Sequence, residues 1–98
     1  MMKLSVAIAT YNEEENIKAC LDAVASWVDE IVIVDGGSTD KTVEIAKKFK
    51  TKILVTGNPP IFHINKQRAL EVCRGEWILQ LDADEIVTPE LHDEILSV

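Results

Sequence analysis

The 98-residue chain is short of positive charge: ten lysines and arginines stand against seventeen aspartates and glutamates, a formal net charge of −7. That balance excludes a nucleic-acid binder, because contacts to a phosphate backbone need a basic face. It also argues against electrostatic attachment to anionic lipid. Basic residues gather only at Lys47, Lys48, Lys50 and Lys52, and again at Lys66, Arg68 and Arg74. The first group reads as a solvated helix end that complements the helix dipole. Cysteine is scarce too. Cys20 and Cys73 fall far apart, in helix-like segments and without metal-ligand spacing, and so read as buried, reduced thiols. No apolar run reaches the length of a membrane span and no signal-peptide pattern opens the chain, which points to the cytoplasm. Internal repeats and low-complexity segments are absent. So are both glycine-rich phosphate cradles, Gly-x-x-x-x-Gly-Lys-Ser/Thr and Gly-x-Gly-x-x-Gly after the first apolar run. Phosphates would have to be held through a metal and a cationic side chain instead.

What is present is an alternation of strand-like and helix-like stretches. With 47% hydrophobic residues, residues 1–98 support one small domain with a modest core. Residues 4–9 form a short apolar run, read as a buried first strand. Asn12 is then expected to cap a helix whose first turn carries Glu13, Glu14 and Glu15, with Ile17, Cys20, Leu21, Val24 and Val28 on one apolar face. Residues 31–34 are β-branched throughout and predict a central strand. Ser38 or Thr39 is expected to cap a second helix with Val43, Ala46 and Phe49 facing the core. Residues 53–55 predict a third strand, and residues 57–60, with two prolines, a rigid loop. A third helix is expected from about Ile61 to Arg74, stopped by Gly75, then a fourth strand over residues 77–81. Thr88 and Pro89 carry an N-cap signal for a last helix through Leu91 and Ile95. This order predicts an α/β fold, a mostly parallel sheet with helices on both faces. The last residues offer no stop logic, so the chain reads as the amino-terminal part of a longer protein, with a sheet edge that could pair with a second copy.

Three candidate loops follow strands on one edge of that sheet: Thr10-Tyr11-Asn12-Glu13, Asp35-Gly36-Gly37-Ser38 and Asp82-Ala83-Asp84-Glu85. Parallel strands bring such loops together at their carboxyl ends, where open α/β sheets bind ligands. Tyr11 offers a face for stacking, Asp35 can accept from a ring N–H, and the glycines let backbone approach a ligand. Crowded carboxylates such as Asp82, Asp84 and Glu85 repel unless a cation compensates them, and a divalent metal carrying a phosphate is one such cation. Lys66 or Arg68 could supply the cationic side chain.

The motifs Val6-Ala7-Ile8-Ala9-Thr10-Tyr11-Asn12-Glu13, Ile33-Val34-Asp35-Gly36-Gly37-Ser38-Thr39-Asp40-Lys41-Thr42 and Gly75-Glu76-Trp77-Ile78-Leu79-Gln80-Leu81-Asp82-Ala83-Asp84-Glu85 resemble family 2 glycosyltransferases. The resemblance runs from about Lys3 to Pro89 with the motifs in family order. It implies the Rossmann-like amino-terminal half of a GT-A fold, binding a nucleoside diphosphate sugar. Thr10, Tyr11 and Glu13 would line the nucleoside pocket, and Asp35 would bond the base, usually uracil. Asp82 and Asp84 would match the family's Asp-x-Asp, on the ribose or sugar side and on Mg²⁺ or Mn²⁺ at the diphosphate; Lys66 would be a basic residue ahead of the fourth strand. The variant resembles the bacterial branch that extends lipopolysaccharide cores or related cell-surface glycans. The implied partners are a UDP-sugar and a glycan or lipid-linked acceptor, met in the cytoplasm or at the inner face of the membrane. Many members carry a second aspartate where Gly36 stands, so one carboxylate contact is lost here. The family's catalytic base lies beyond Val98, so transfer with inversion is expected of the complete protein and little activity of these residues alone. The rivals fit less well. A haloacid-dehalogenase phosphatase places Asp-x-Asp after the first strand, and a pyrophosphorylase needs a glycine-rich basic loop there. A non-catalytic, receiver-like metal- or nucleotide-binding module needs an aspartate ending the third strand, where Leu54-Val55-Thr56 has none.

Overall fold

The structure is a computed structural model that describes residues 4–57 and 63–97, His63 by its backbone alone. Four strands and four helices alternate: β1 (Leu4–Thr10), α1 (Ile17–Asp22), β2 (Glu30–Asp35), α2 (Thr42–Ala46), β3 (Lys52–Val55), α3 (His63–Val72), β4 (Trp77–Asp82) and α4 (Pro89–Leu96). The strands form one sheet in the order β3-β2-β1-β4, every pair parallel. The α/β expectation, with helices on both faces, holds. The two central strands explain why: β1 and β2 are apolar along nearly their whole length because both of their faces are covered. Side chains alternate between the faces. Val6, Ile8, Ile31 and Ile33 pack with Ile17, Cys20, Leu21, Val24 and Ala46 on one side. Ala7, Val32 and Val34 pack with Ala69 of α3 on the other. No helix among the described residues is long and apolar enough to cross a membrane.

Register fixes the working edge. Thr10 pairs with Asp35, Asp35 with Val55, and Ala9 with Asp82, so the carboxyl ends of all four strands emerge together.

Local expectations fared unevenly. Thr88 does cap α4, its hydroxyl accepting from the Leu91 amide at 3.2 Å, with Pro89 in the first turn. Asn12 does not cap α1. The helix starts at Ile17, its N-cap position is Asn16, which makes no side-chain cap, and the three glutamates precede its first turn. Nor does Ser38 or Thr39 cap α2; that position is Lys41. The α1 helix closes at Asp22, although irregular turns carry its apolar face on to Val24. The loop expected at residues 57–60 and the start of α3 at Ile61 fall, apart from Gly57, outside the described residues. Gly75 does not stop α3, which ends at Val72. Its requirement is space: its amide donates to Ser5 Oγ at 2.8 Å, and a Cβ there would lie 2.7 Å from that oxygen and 2.8 Å from the Ser5 backbone nitrogen.

Candidate functional site

The loops after β1 and β2 are laced to each other. Asn12 takes a left-handed backbone (φ 53°), a conformation that asparagine tolerates better than most residues. This turns its amide onto Ser38 Oγ (2.8 Å) and its side-chain carbonyl onto the Thr39 amide (2.8 Å). The Glu13 amide donates to Thr42 Oγ1 at 2.8 Å, the Glu14 amide to Asp40 Oδ2 at 3.2 Å, and the Lys41 amide returns to Glu14 Oε2 at 3.2 Å. Asp40 also accepts from the Thr42 hydroxyl and amide. Desolvation pushes the Asp40 pKa up, but these hydrogen bonds outweigh it and hold the group below the ordinary carboxylate range. These bonds join two chain segments into one rim. Asn12, Ser38, Asp40 and Thr42 build that rim.

Asp35 anchors it from below. The residue is fully buried. Oδ1 accepts from the hydroxyls of Thr10 (2.6 Å) and Ser38 (2.6 Å); Oδ2 accepts from the amides of Gly37 (3.0 Å) and Ser38 (2.7 Å). A carboxylate has about four acceptor sites, and all are taken by the chain itself. Gly37 needs to be glycine twice over: its φ is 87°, and a Cβ would sit 3.2 Å from the Thr56 carbonyl. Thr10 is buried with Asp35, whereas Tyr11 is exposed beside it and Glu13 is half-buried, its carboxylate accepting from Asn16 Nδ2.

The acidic run after β4 divides its labour. Ala83 and Val87 turn into the core, which leaves Asp82 half-exposed and Asp84 exposed. Glu85 folds back: its Oε1 accepts from the Asp82 amide at 2.7 Å while its own amide donates to the Asp82 carbonyl at 2.9 Å. The third carboxylate is a turn former. Asp82 Oδ1 lies 2.7 Å from Lys66 Nζ of α3. Cys20 approaches the Asp82 carbonyl from the core, and burial, with Glu85, Asp84, Asp82 and Glu13 nearby, raises its pKa to about 11. Its protonated, thiol form is thereby favoured at neutral pH.

Lys66 and Asp82 therefore come together; Thr10 and Asp35 come together; Tyr11 and Glu13 border the second pair. Asn65, one residue before Lys66, was not anticipated. It is fully buried, its Oδ1 accepts from Thr56 Oγ1 at 3.2 Å, and its Nδ2 has no acceptor among the described residues. Its signal was a polar residue four positions before Ala69 on the sheet-facing side of α3. A cavity of about 450 Å³ lined by Leu4, Trp77, Ile78, Ile95 and Leu96 opens at the other end of β4, away from this chemistry.

Mg²⁺ and Mn²⁺ prefer hard oxygen donors. Asp84 offers an exposed carboxylate, and Asp82 a half-exposed one whose Oδ1 already meets the Lys66 ammonium. Among the described residues no third His, Cys, Asp or Glu joins them. The donor set fits a hard cation that brings further oxygen ligands with it.

A family model described as glycosyl transferase family 2 matches residues 5–97. An uncharacterized glycosyltransferase of Rickettsia typhi is 40% identical over 96 residues, covering 97% of this chain and 32% of its own length. The uncharacterized glycosyltransferase YibD of Escherichia coli K12 is 31% identical over 98% of this chain and 30% of its own. Among solved structures, TarS of S. aureus superposes with a TM-score of 0.86 at 29% identity, covering 98% of this chain and 32% of that one. Glucosyl-3-phosphoglycerate synthase from Mycobacterium tuberculosis, in complex with Mn²⁺, UDP and phosphoglyceric acid, gives 0.74 at 25% identity over 87% of this chain and 34% of that one. The chain thus spans about a third of the length of these relatives.

Proposed function

This chain belongs to glycosyl transferase family 2, and on that premise we propose that its three strand-end loops form the donor site of an enzyme that moves a sugar from a UDP-sugar to an acceptor hydroxyl. One observation carries the reading: parallel register sets Thr10 against Asp35 and Ala9 against Asp82, so the rim and the acidic run share one edge. Tyr11 stacks on the base, and Thr10 and Glu13 border the nucleoside. Asp35 acts from beneath, holding the Gly37 and Ser38 amides and the Ser38 hydroxyl in position; to accept a ring N–H itself it would exchange one of these donors. Asp82 and Asp84 would hold Mg²⁺ or Mn²⁺, and Lys66 would supply positive charge to the diphosphate. When bound, the metal would neutralise charge developing on the leaving diphosphate. Transfer is a single inverting displacement, and none of residues 1–98 is assigned the part of the base that deprotonates the acceptor. Acceptors are cell-envelope glycans or lipid-linked sugars. UDP, the nucleotide bound by the mycobacterial relative, is the first ligand to try.

Calorimetric titration with UDP tests this. Binding is expected to need Mn²⁺ or Mg²⁺ and to weaken at least about tenfold in Asp84→Ala, the loss of one charged ligand. UDP affinity indifferent to metal and to Asp84 would refute the reading.

A further inference from the structure

Lys66 and Asp82 belong to the proposed donor site, and the role inferred for Lys66 rests on that reading. Nζ of Lys66 lies 2.7 Å from Asp82 Oδ1, with the lysine side chain 30% and the aspartate 50% exposed. A divalent ion bound to Asp82 would therefore meet an ammonium at the same carboxylate, and two like charges at that spacing repel. We propose that Lys66 is an exchangeable internal counter-ion. It rests on Asp82 when no nucleotide is bound, opposes binding of metal alone, and moves to the diphosphate when metal and nucleotide arrive together.

The structure supports such a switch in three ways. A lysine carries a compact charge on a flexible four-carbon stem, which gives the head a wide reach. The turn of α3 beneath it is fixed: its neighbour Asn65 is fully buried against Thr56, and Ala69, in the next turn, is buried against β1 and β2. Asp84 lies exposed two residues beyond Asp82, able to meet a metal first. A diphosphate brings enough negative charge to accompany both cations. The consequence is linkage: UDP tightens Mn²⁺ by the same factor by which Mn²⁺ tightens UDP, and Lys66 contributes to that factor.

Free Mn²⁺ measured by its electron paramagnetic resonance signal tests the exchange without any turnover. Wild type, Lys66→Met, Lys66→Gln and Lys66→Arg are titrated with Mn²⁺ alone, then with UDP present. The two neutral variants are expected to bind Mn²⁺ alone about three- to tenfold more tightly than wild type, a modest gain because the pair is half-exposed and screened. Lys66→Arg should stay within about twofold of wild type, since the charge is kept. The enhancement of Mn²⁺ binding by UDP should shrink in the neutral variants. Equal or weaker Mn²⁺ binding by both neutral variants, including no measurable binding by any protein, would overturn the exchange. Failure of every protein to bind UDP with Mn²⁺ would instead overturn the donor-site reading, and the comparison with Mn²⁺ alone would still decide the role of Lys66.

Discussion

Asp35→Ala is expected to cost about 4 kcal/mol and to lower the melting temperature by roughly 20 °C. The residue is fully buried and takes the hydroxyls of Thr10 and Ser38 and the amides of Gly37 and Ser38. Truncation removes four hydrogen bonds to one acceptor and strands the buried Thr10 hydroxyl and the part-buried donors of Gly37 and Ser38. Hydroxyls can rotate to new partners, but the two amides cannot, and each stranded group costs on the order of 1–3 kcal/mol. A domain of this size has little stability in reserve. Asp35→Asn should be milder, about 2–3 kcal/mol: its carbonyl can serve both hydroxyls, but its NH₂ then faces the two amides donor to donor. Thermal denaturation followed by circular dichroism measures both, and an Asp35→Ala protein melting within about 3 °C of wild type would contradict the role given to this carboxylate.

Gly75→Ala should cost about 2–3 kcal/mol, although the change is a single methyl. The added carbon would stand 2.7 Å from Ser5 Oγ, 2.8 Å from the Ser5 nitrogen and 3.1 Å from the Leu4 carbonyl carbon. Two of these are backbone atoms of β1, so no rotamer relieves them, and the segment between α3 and β4 must lift. Lifting breaks the bond from the Gly75 amide to Ser5 Oγ, and strains a chain in which Ser5 Oγ donates to Glu30 Oε1 (2.7 Å) and the Arg74 amide donates to the same oxygen (2.8 Å). Burial acts to raise the pKa of Glu30, but the bonds from Ser5 and the Arg74 amide, with the charges of Lys52 and Arg74, bring it net below its ordinary value. A depressed carboxylate pKa means stability that is present at neutral pH and lost as pH falls through the folded-state value. Gly75→Ala should therefore lose part of its acid sensitivity along with its stability. Urea denaturation at neutral and acidic pH checks both; in a Ser5→Ala background the glycine change should still cost more than about 1 kcal/mol, because the backbone contacts remain.

Much of this was open to sequence reading because the central strands are apolar on both faces. Runs such as Val6 to Ala9 and Ile31 to Val34, alternating with helix-like segments, suit a covered parallel sheet, and parallel order brings the ends at Thr10, Asp35 and Asp82 to one edge. The Thr88-Pro89 cap was legible because its partner is three residues away. The rim was not. Asn12, Ser38, Asp40 and Thr42 bond across 26 to 29 residues, and no local pattern announces such pairs. Asn12 followed by three glutamates satisfies the rule for a helix start, yet the residue satisfies a second loop instead. Gly75 satisfies the rule for a helix stop, yet what it answers is the backbone of β1. A strand-end aspartate looks available to a ligand until the four donors around Asp35 are seen. Lys66 could be suspected of serving the diphosphate, but its resting place on Asp82 is a fact of packing between α3 and β4.

On this reading three separate loops make one nucleotide site at the carboxyl edge of the sheet. Amide shift mapping by ¹H–¹⁵N NMR, with UDP and Mg²⁺ added and Mg²⁺ then replaced by Mn²⁺, tests it most directly. UDP with Mg²⁺ should move signals of residues 10–13, 36–38 and 82–85 together, and Mn²⁺ should then bleach residues 82–85 most strongly. An unchanged spectrum, or shifts gathered instead around Trp77 and Ile95 at the opposite end of β4, would contradict it.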